Sequence, residues 1–480
     1  MNRIKKYILV AAAMLASTAV CAQTLNSLYF LEGNNQRHKL NPAFTSDHGF
    51  VTFPLLGNLN PTLNSNIGLG TFLYPQGDEM VTFMHPSISN EEAMSKFNSM
   101  NVFEFDLNLD IVTVGFNAWG GSNTIGLALR SQSGFYLPKG IFQFLKEGQT
   151  ANEQEYDIDN LGAQTQNYVE LALGHSRQIT DKLSVGAKVK LLVGALYAKA
   201  SAENMRIYMS DNEWRITERS RLIASKGMNY EFDEDGNLSN LDFNNFGVAG
   251  YGLGFDLGAV YRINDAATVS LAITDIGFIS WKDCSIAQNN NEEFVYNGFD
   301  NIGAEDNPDG SNDFEDAADD LGDSAEGLVN FKDGGKQGHT SSLYTTIRAA
   351  GEYGILKNKI SFGALYTLRV GTPRVYTEGM ITANFRPTGW FNAAINGSFS
   401  NVRSSMGAVL NFHPGAVNFF IGTDYILAKF SKQVIPVNAA KFDENIFSTF
   451  TRLHRLCLAE YPFTGIRRHN RLLLRPFPAS

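Results

Sequence analysis

The stretch Phe103-Glu104-Phe105-Asp106-Leu107-Asn108-Leu109-Asp110-Ile111 decides the fold class, because every odd position is apolar and every even position through Asp110 is an acid or an amide. A period of two belongs to a β-strand, whose successive side chains point to opposite faces. The same rhythm returns over residues 183–197, 251–261, 360–370 and 417–427, with Gly, Lys, Asp, Thr or Arg on the alternate face. A water-soluble sandwich alternates too. Repetition of charged and small residues opposite apolar ones along most of the chain points instead to an all-β fold, a transmembrane antiparallel β-barrel of about 14 strands.

Working outward, strands are expected over residues 50–54, 66–73, 103–116, 124–131, 168–176, 183–199, 205–209, 214–223, 251–263, 268–280, 343–353, 360–370, 380–385, 390–399, 406–412 and 417–427. Compact turns at 179–182, 263–266 and 356–359 suit short periplasmic hairpin ends. Longer connections are expected at 75–100, 135–167, 228–245 and 281–341, facing the exterior. The centre of the last, 305–326, is rich in Asp, Gly, Asn and Ala and carries too little apolar surface to order itself. Residues 135–147 are apolar for a loop and admit two readings, a short helix at the barrel mouth or an aromatic patch at the lipid interface.

The first 22 residues read as a signal peptide: Arg3, Lys5 and Lys6 precede an apolar run ending at Val20-Cys21-Ala22, a small-residue cleavage site before Gln23. Cys21 leaves a lipoprotein as the alternative, although Val20 stands where lipid attachment favours Gly, Ala or Ser. No later run of eighteen apolar residues offers a transmembrane helix. Residues 23–49 lack strand periodicity and form a plug-like or lead-in segment, with Pro42 unsuited to a central strand. The barrel is expected over 50–442, with an acidic insertion at 281–341. Residues 443–480 turn abruptly to arginine and leucine without alternation, so a change of reading frame near Phe442, replacing the closing strand, is favoured over a genuine basic tail.

The formal net charge of −10 excludes a nucleic-acid role, the more so because the signal and the tail are both basic. Beyond the signal only Cys284 and Cys457 remain, read as free thiols, although a single disulfide between them stays open. The 44 glycines and 35 phenylalanines fit a curved sheet whose outer wall meets acyl chains.

If the apolar rows face lipid, then Glu104, Asp106, Asp110, Glu170, Lys188, Lys190, Asp256, Arg262 and Arg369 line an interior. Such a lining is either a structural network of ion pairs or a selectivity surface for a polar solute. The eight histidines form no His-Glu-x-x-His, and neither a nucleophile elbow nor a phosphate loop is present. No cofactor and no catalytic residue is expected. His175 and Ser176 are the nearest approach to an outer-membrane hydrolase. Residues 231–242 and 305–316 brush against the spacing of a calcium loop, but each lacks the terminal Glu, and a plain turn explains the first better.

Leu28-Tyr29-Phe30, His38-Lys39-Leu40-Asn41-Pro42-Ala43-Phe44, 254–261 and Asp275-Ile276-Gly277-Phe278-Ile279-Ser280-Trp281 together resemble an uncharacterised family of Bacteroidota outer-membrane barrels. The Asn-Pro-Ala tripeptide is also seen in FadL-like barrels, which include hydrophobic-compound transporters and PorV proteins of type IX secretion, and in PorP/SprF-like proteins. The resemblance implies an outer-membrane barrel without an established reaction, and singles out Asn41, Pro42, Ala43, Phe44, Asp275, Gly277 and Trp281. The expected function is passage or capture of a small compound, hydrophobic molecules included. The alternatives are a scaffold barrel for surface or type IX-secreted proteins and, less favoured, an enzyme. Expected partners are outer-membrane lipid, the barrel-assembly machinery and secreted or surface proteins, with no nucleic acid.

Overall fold

A computed structural model describes residues 26–426 apart from 47, 53–58, 78, 151, 235, 245, 297–330, 372–374, 403 and 415–417. The expected signal peptide, the centre of the acidic insertion and residues 427–480 lie outside the described residues. The chain divides into a main body, 1–74 with 81–431, and a second unit of 75–80 with the C-terminal residues. The main body carries every strand of the large sheet.

The strands are β1 (Phe50–Thr52), β2 (Leu59–Ser65), β3 (Leu73–Gln76), β4 (Glu79–Thr82), β5 (Met100–Ala118), β6 (Gly121–Pro138) and β7 (Gln154–Asp157). Next come β8 (Leu161–Gln178), β9 (Leu183–Met209), β10 (Trp214–Ala224), β11 (Asn229–Phe232), β12 (Leu238–Asp242), β13 (Gly250–Arg262) and β14 (Ala267–Tyr296). The last are β15 (Lys332–Ser342), β16 (Thr345–Ile355), β17 (Ile360–Val370), β18 (Val375–Thr388), β19 (Phe391–Ser400), β20 (Ser404–Phe412) and β21 (Phe419–Ile426).

β1 and β2 lie along successive parts of β5. From β5 an antiparallel ladder runs through β6, β8, β9, β13, β14, β16, β17, β18, β19 and β20 to β21. At the end carrying the long connections, β10 takes over from β13 between β9 and β14, and β15 takes over from β16 beside β14. Among the described residues no pairing joins β21 to β1 or β2. The ladder is nevertheless rolled: Arg369 on β17 meets Asp106 on β5 at 2.6 Å, though many strands separate them.

Burial alternates along each strand, with the sides reversed from those of a water-soluble protein. On β9 Lys188 and Lys190 are buried while Val189 and Leu191 are exposed; on β13 Asp256 is buried while Phe255 and Leu257 are exposed. Large exposed apolar residues continue round the wall as Leu271, Phe362, Tyr366, Ile381, Ile395 and Ile421. In water such a wall would be one very large apolar patch, whereas hydrocarbon is its proper solvent. The protein is a transmembrane antiparallel β-barrel.

Several expected strands end elsewhere. β14 is 30 residues long and β9 is 27, far beyond the roughly 9–11 needed to cross a bilayer, so both continue past it. β15 occupies part of the expected 281–341 connection, and most of its residues are polar and exposed. Pairing in water needs no apolar face, so alternation fades there while hydrogen bonding continues. Residues 69–72, expected in a strand, form one helical turn. Within 135–167, β6 extends to Pro138 and the helix Lys139–Glu147 follows. Phe142 of that helix stacks on Phe97 with centroids 4.1 Å apart, in a small core with Phe83, Ile88 and Met94. Of the two readings of that stretch, Phe142 takes the helix, while Phe135 stays exposed on β6.

The reversed wall gives a direct test. Phe255→Arg or Leu257→Arg, harmless at an exposed position in water, is expected to cost about 2–4 kcal/mol near the bilayer midplane. Denaturant titration of the protein folded into vesicles measures it.

Candidate functional site

Lys190 is the centre of the interior charge. Its Nζ lies 2.8 Å from Asp256 Oδ1, 2.6 Å from Asp275 Oδ1 and 3.9 Å from Glu170 Oε2. Glu170 also receives Arg130 Nη2 at 3.2 Å. Register assembles the group: Lys190 stands opposite Gly254 on β13 and Ala172 on β8, so acids two residues along either neighbour come within reach. An ion removed from water loses several kcal/mol of hydration, and these contacts return it only as a set.

Asp275 reaches this group through a bulge. Its φ is +61°, a left-handed conformation that Asp tolerates better than most residues, and the β13–β14 register shifts between Phe255 and Leu257. The Asp275 amide donates to Asp256 Oδ1 at 2.7 Å. The extra residue changes the phase of β14: Ala272 and Thr274 are buried before it, Ile279 and Trp281 after it. Trp281 thereby turns inward over Gly194, stacks on Tyr197 with centroids 5.3 Å apart, and donates Nε1–H to Ser341 Oγ at 2.8 Å. Gly277 lies where a Cβ would meet Leu253 O at 2.2 Å. The Asp275, Gly277 and Trp281 motif is thus a device for switching the inward row.

The segment 26–44, two short 3-10 turns, lies against the inward face. Leu28, Tyr29, Phe30, Leu31 and Leu40 pack on Leu365, Met380, Ala394 and Val409 of β17 to β20. Polar anchors reach strands all round the ladder: Asn26 Nδ2 donates to Glu378, Ser27 N to Asp424, Asn34 Nδ2 to Asn411 and Lys39 to Asp110. Lys188 Nζ donates to His38 O at 2.6 Å and to His38 Nδ1 at 2.8 Å. Burial, with the Lys188 ammonium beside it, holds the His38 pKa well below the ordinary imidazole value, as Nδ1 acting as acceptor requires.

Asn41 and Pro42 fix this segment in place. Asn41 Oδ1 accepts the Ala43 amide at 2.9 Å, closing a local turn, while Nδ2 donates to Tyr29 Oη at 2.9 Å and reaches Ala259 O and Leu271 O. The turn rests on Gly186 and Gly258, which face each other across β9 and β13. A Cβ at Gly186 would stand 2.1 Å from Pro42 O, and one at Gly258 2.1 Å from Asn41 Oδ1. Phe44 packs edge-on against Tyr29 and carries the Arg37 guanidinium 4.0 Å above its ring.

The structure brings Asp106, Asp110, Glu170, Lys188, Lys190, Asp256 and Arg369 to the interior. Glu104 lies half-buried on the row of Asp106. Arg262 lies exposed at the end of β13 and, among the described residues, joins none of these ion pairs. The expected lining omitted Lys39, Arg130, Asp275 and Arg348. Alternation on β16, where Ile347 and Ala349 face out, marks Arg348 as inward; Asp275 is hidden because straight counting past the bulge points it outward. A cavity of about 140 Å³ lies among these groups, bordered by Lys39, Asp106, Arg130, Asp275, Arg348 and Arg369. Among the described residues no cluster of His, Cys, Asp and Glu could hold a metal. In 231–242 the Asp233 carboxylate accepts the Asn237 amide at 2.8 Å within the β11–β12 hairpin, and 305–316 lies outside the described residues.

Residues 42–424 match a family described as a family of unknown function, DUF5723. The chain belongs to that family. No curated protein matches the sequence. Among solved structures it is similar to the toluene transporter TbuX of Ralstonia pickettii, at 8% identity over 85% of this chain and 96% of that one, with a TM-score of 0.36. It is also similar to the toluene transporter TodX of Pseudomonas putida, at 8% identity over 81% and 84%, TM-score 0.32. The KdgM porin matches at 6% identity over 67% and 94%, TM-score 0.20. These are remote likenesses, and what those proteins carry is a property of those proteins.

Two outcomes test the site. Lys190→Met leaves the buried Glu170 and Asp256 and the partly buried Asp275 short of a cation and is expected to cost about 3–5 kcal/mol in urea unfolding, with part recovered by adding Asp275→Asn. Gly258→Val fills the saddle under Asn41 and is expected to release the segment, so that a cysteine at Ser27, inert in the parent, reacts with a water-soluble maleimide.

Proposed function

We propose that this barrel passes or captures a small compound at the outer membrane, without covalent chemistry. The supporting observation is the pairing of an apolar outer wall with a charged interior that still holds a cavity of about 140 Å³. In this reading a cleaved signal peptide directs export, the barrel-assembly machinery inserts the chain, and residues 26–44 are a plug. Passage then requires the plug to shift. Its polar contacts exchange for water when it moves, so resistance comes chiefly from the buried faces of Leu28, Tyr29, Phe30 and Leu31.

The second reading is a non-transporting scaffold for surface or type IX-secreted proteins, a role that the resemblance to PorV and PorP/SprF-like proteins implies. The filling of the interior by the N-terminal segment and its anchors favours it. Reconstitution into planar bilayers and liposomes separates the two. The intact chain is expected to show low conductance with measurable solute uptake, and deletion of 26–44 to produce larger stepwise conductance. Zero conductance and zero uptake from both would leave the scaffold.

A further inference from the structure

We infer that the interior cavity is a binding site for an oxyanion, carboxylate or phosphate in class, held by Arg348. Arg348 faces inward from β16 and is 8% exposed. Its Nη1 donates to Thr274 Oγ1 at 3.2 Å, and its buried Nε has no protein partner. Other interior arginines differ: Arg37 of the N-terminal segment is held by Tyr29 O and the Phe44 ring, and Arg130, Arg369 and Arg386 on the strands each have a carboxylate, at 3.2, 2.6 and 2.5 Å. Arg348 has none within ion-pair distance among the described residues.

The two acids bordering the cavity are already engaged, Asp106 by Arg369 and Asp275 by Lys190. Four cations, Lys39, Arg130, Arg348 and Arg369, border the same space; Lys39, Arg130 and Arg369 are paired with Asp110, Glu170 and Asp106, which leaves Arg348 as the one of the four without a carboxylate at ion-pair distance among the described residues. Arg130 Nε is also buried without a partner. Water would satisfy these N–H groups but not the charge, and an uncompensated buried cation is strongly unfavourable. A planar guanidinium presents paired donors that match the oxygens of a carboxylate or phosphate. Thr346 and Thr367 border the same cavity and add hydroxyls, and a space of about 140 Å³ admits one small oxyanion or several waters.

A role in choosing cargo rests on the passage-or-capture reading; occupancy of the site does not. The test uses the full chain in detergent, titrated at constant ionic strength with inorganic phosphate and, separately, acetate. Saturable binding is expected, weakened about tenfold or more by Arg348→Gln and largely kept by Arg348→Lys. Tighter phosphate points to an inorganic ion, and tighter acetate to the carboxylate of an organic solute. Absence of saturation in the parent, or an affinity unchanged by Arg348→Gln, overturns the site. Should Arg348→Gln fail to fold, the parent decides alone: phosphate or acetate must raise its unfolding midpoint where chloride at equal ionic strength does not, and no difference overturns the inference. Binding without solute uptake removes passage and leaves the site; uptake without binding does the reverse.

Discussion

A chain in hydrocarbon finds no water for its backbone, so every N–H and C=O within the membrane has to be paired by the protein itself. Antiparallel pairing meets that demand strand by strand, and the period of two then sends alternate side chains to opposite solvents. The exposed Leu253, Phe255 and Leu257 and the buried Asp256 on one strand are the consequence. Because the wall is apolar, the polar half of each strand has nowhere to go but inward. Ion pairs, a packed N-terminal segment and a cavity are ways of furnishing the interior thus created.

That interior is held by groups that cannot be exchanged singly. Lys190 needs its carboxylates, Asp275 reaches it only because the bulge turns β14, and Asp256 both receives Lys190 and fixes the bulge through the Asp275 amide. The same bulge decides that Trp281 points inward above Gly194. The paired glycines 186 and 258, farther along the same strands, make room for Asn41 and Pro42. One local irregularity and one pair of missing side chains therefore position the ion cluster, the buried tryptophan and the N-terminal anchor on three neighbouring strands.

How much of this is readable beforehand depends on whether the signal is local. The wall is local, and 103–111 suffices to establish it. Burial of Lys188, Lys190 and Asp256 follows from the same alternation. Residues 205–209 of the β9 extension are expected as strand, but the joining residues 200–204 and the β14 extension are not readable, since Cys284, Ser285, Ile286 and Ala287 are buried in succession without a period of two. Asp275 is misplaced by counting because a bulge is written in backbone conformation, not in residue type. The anchoring role of Asn-Pro-Ala is equally remote from its sequence, because its meaning lies in glycines far along the chain. Arg348 and Arg130 were within reach: Thr346-Ile347-Arg348-Ala349 and Ile125-Gly126-Leu127-Ala128-Leu129-Arg130 alternate plainly, but a single arginine shows no lack of a partner until the strands around it are placed.

The interior is also uneven in a way that bears on how it works. Around Lys190 acids and bases are matched within a few ångströms, a dry arrangement with little to offer a solute. Around Tyr29 and Phe30 apolar packing prevails, and the N-terminal segment already occupies the space. Between these two regions lies the cavity, where the Arg348 guanidinium has no carboxylate at ion-pair distance among the described residues. A buried charge in a low-dielectric enclosure acts more strongly than the same charge in water, so the Arg348 guanidinium is felt across that cavity more than it would be in solution. A structural network could have been completed by one more aspartate opposite Arg348; its omission leaves the charge free to meet a molecule from outside.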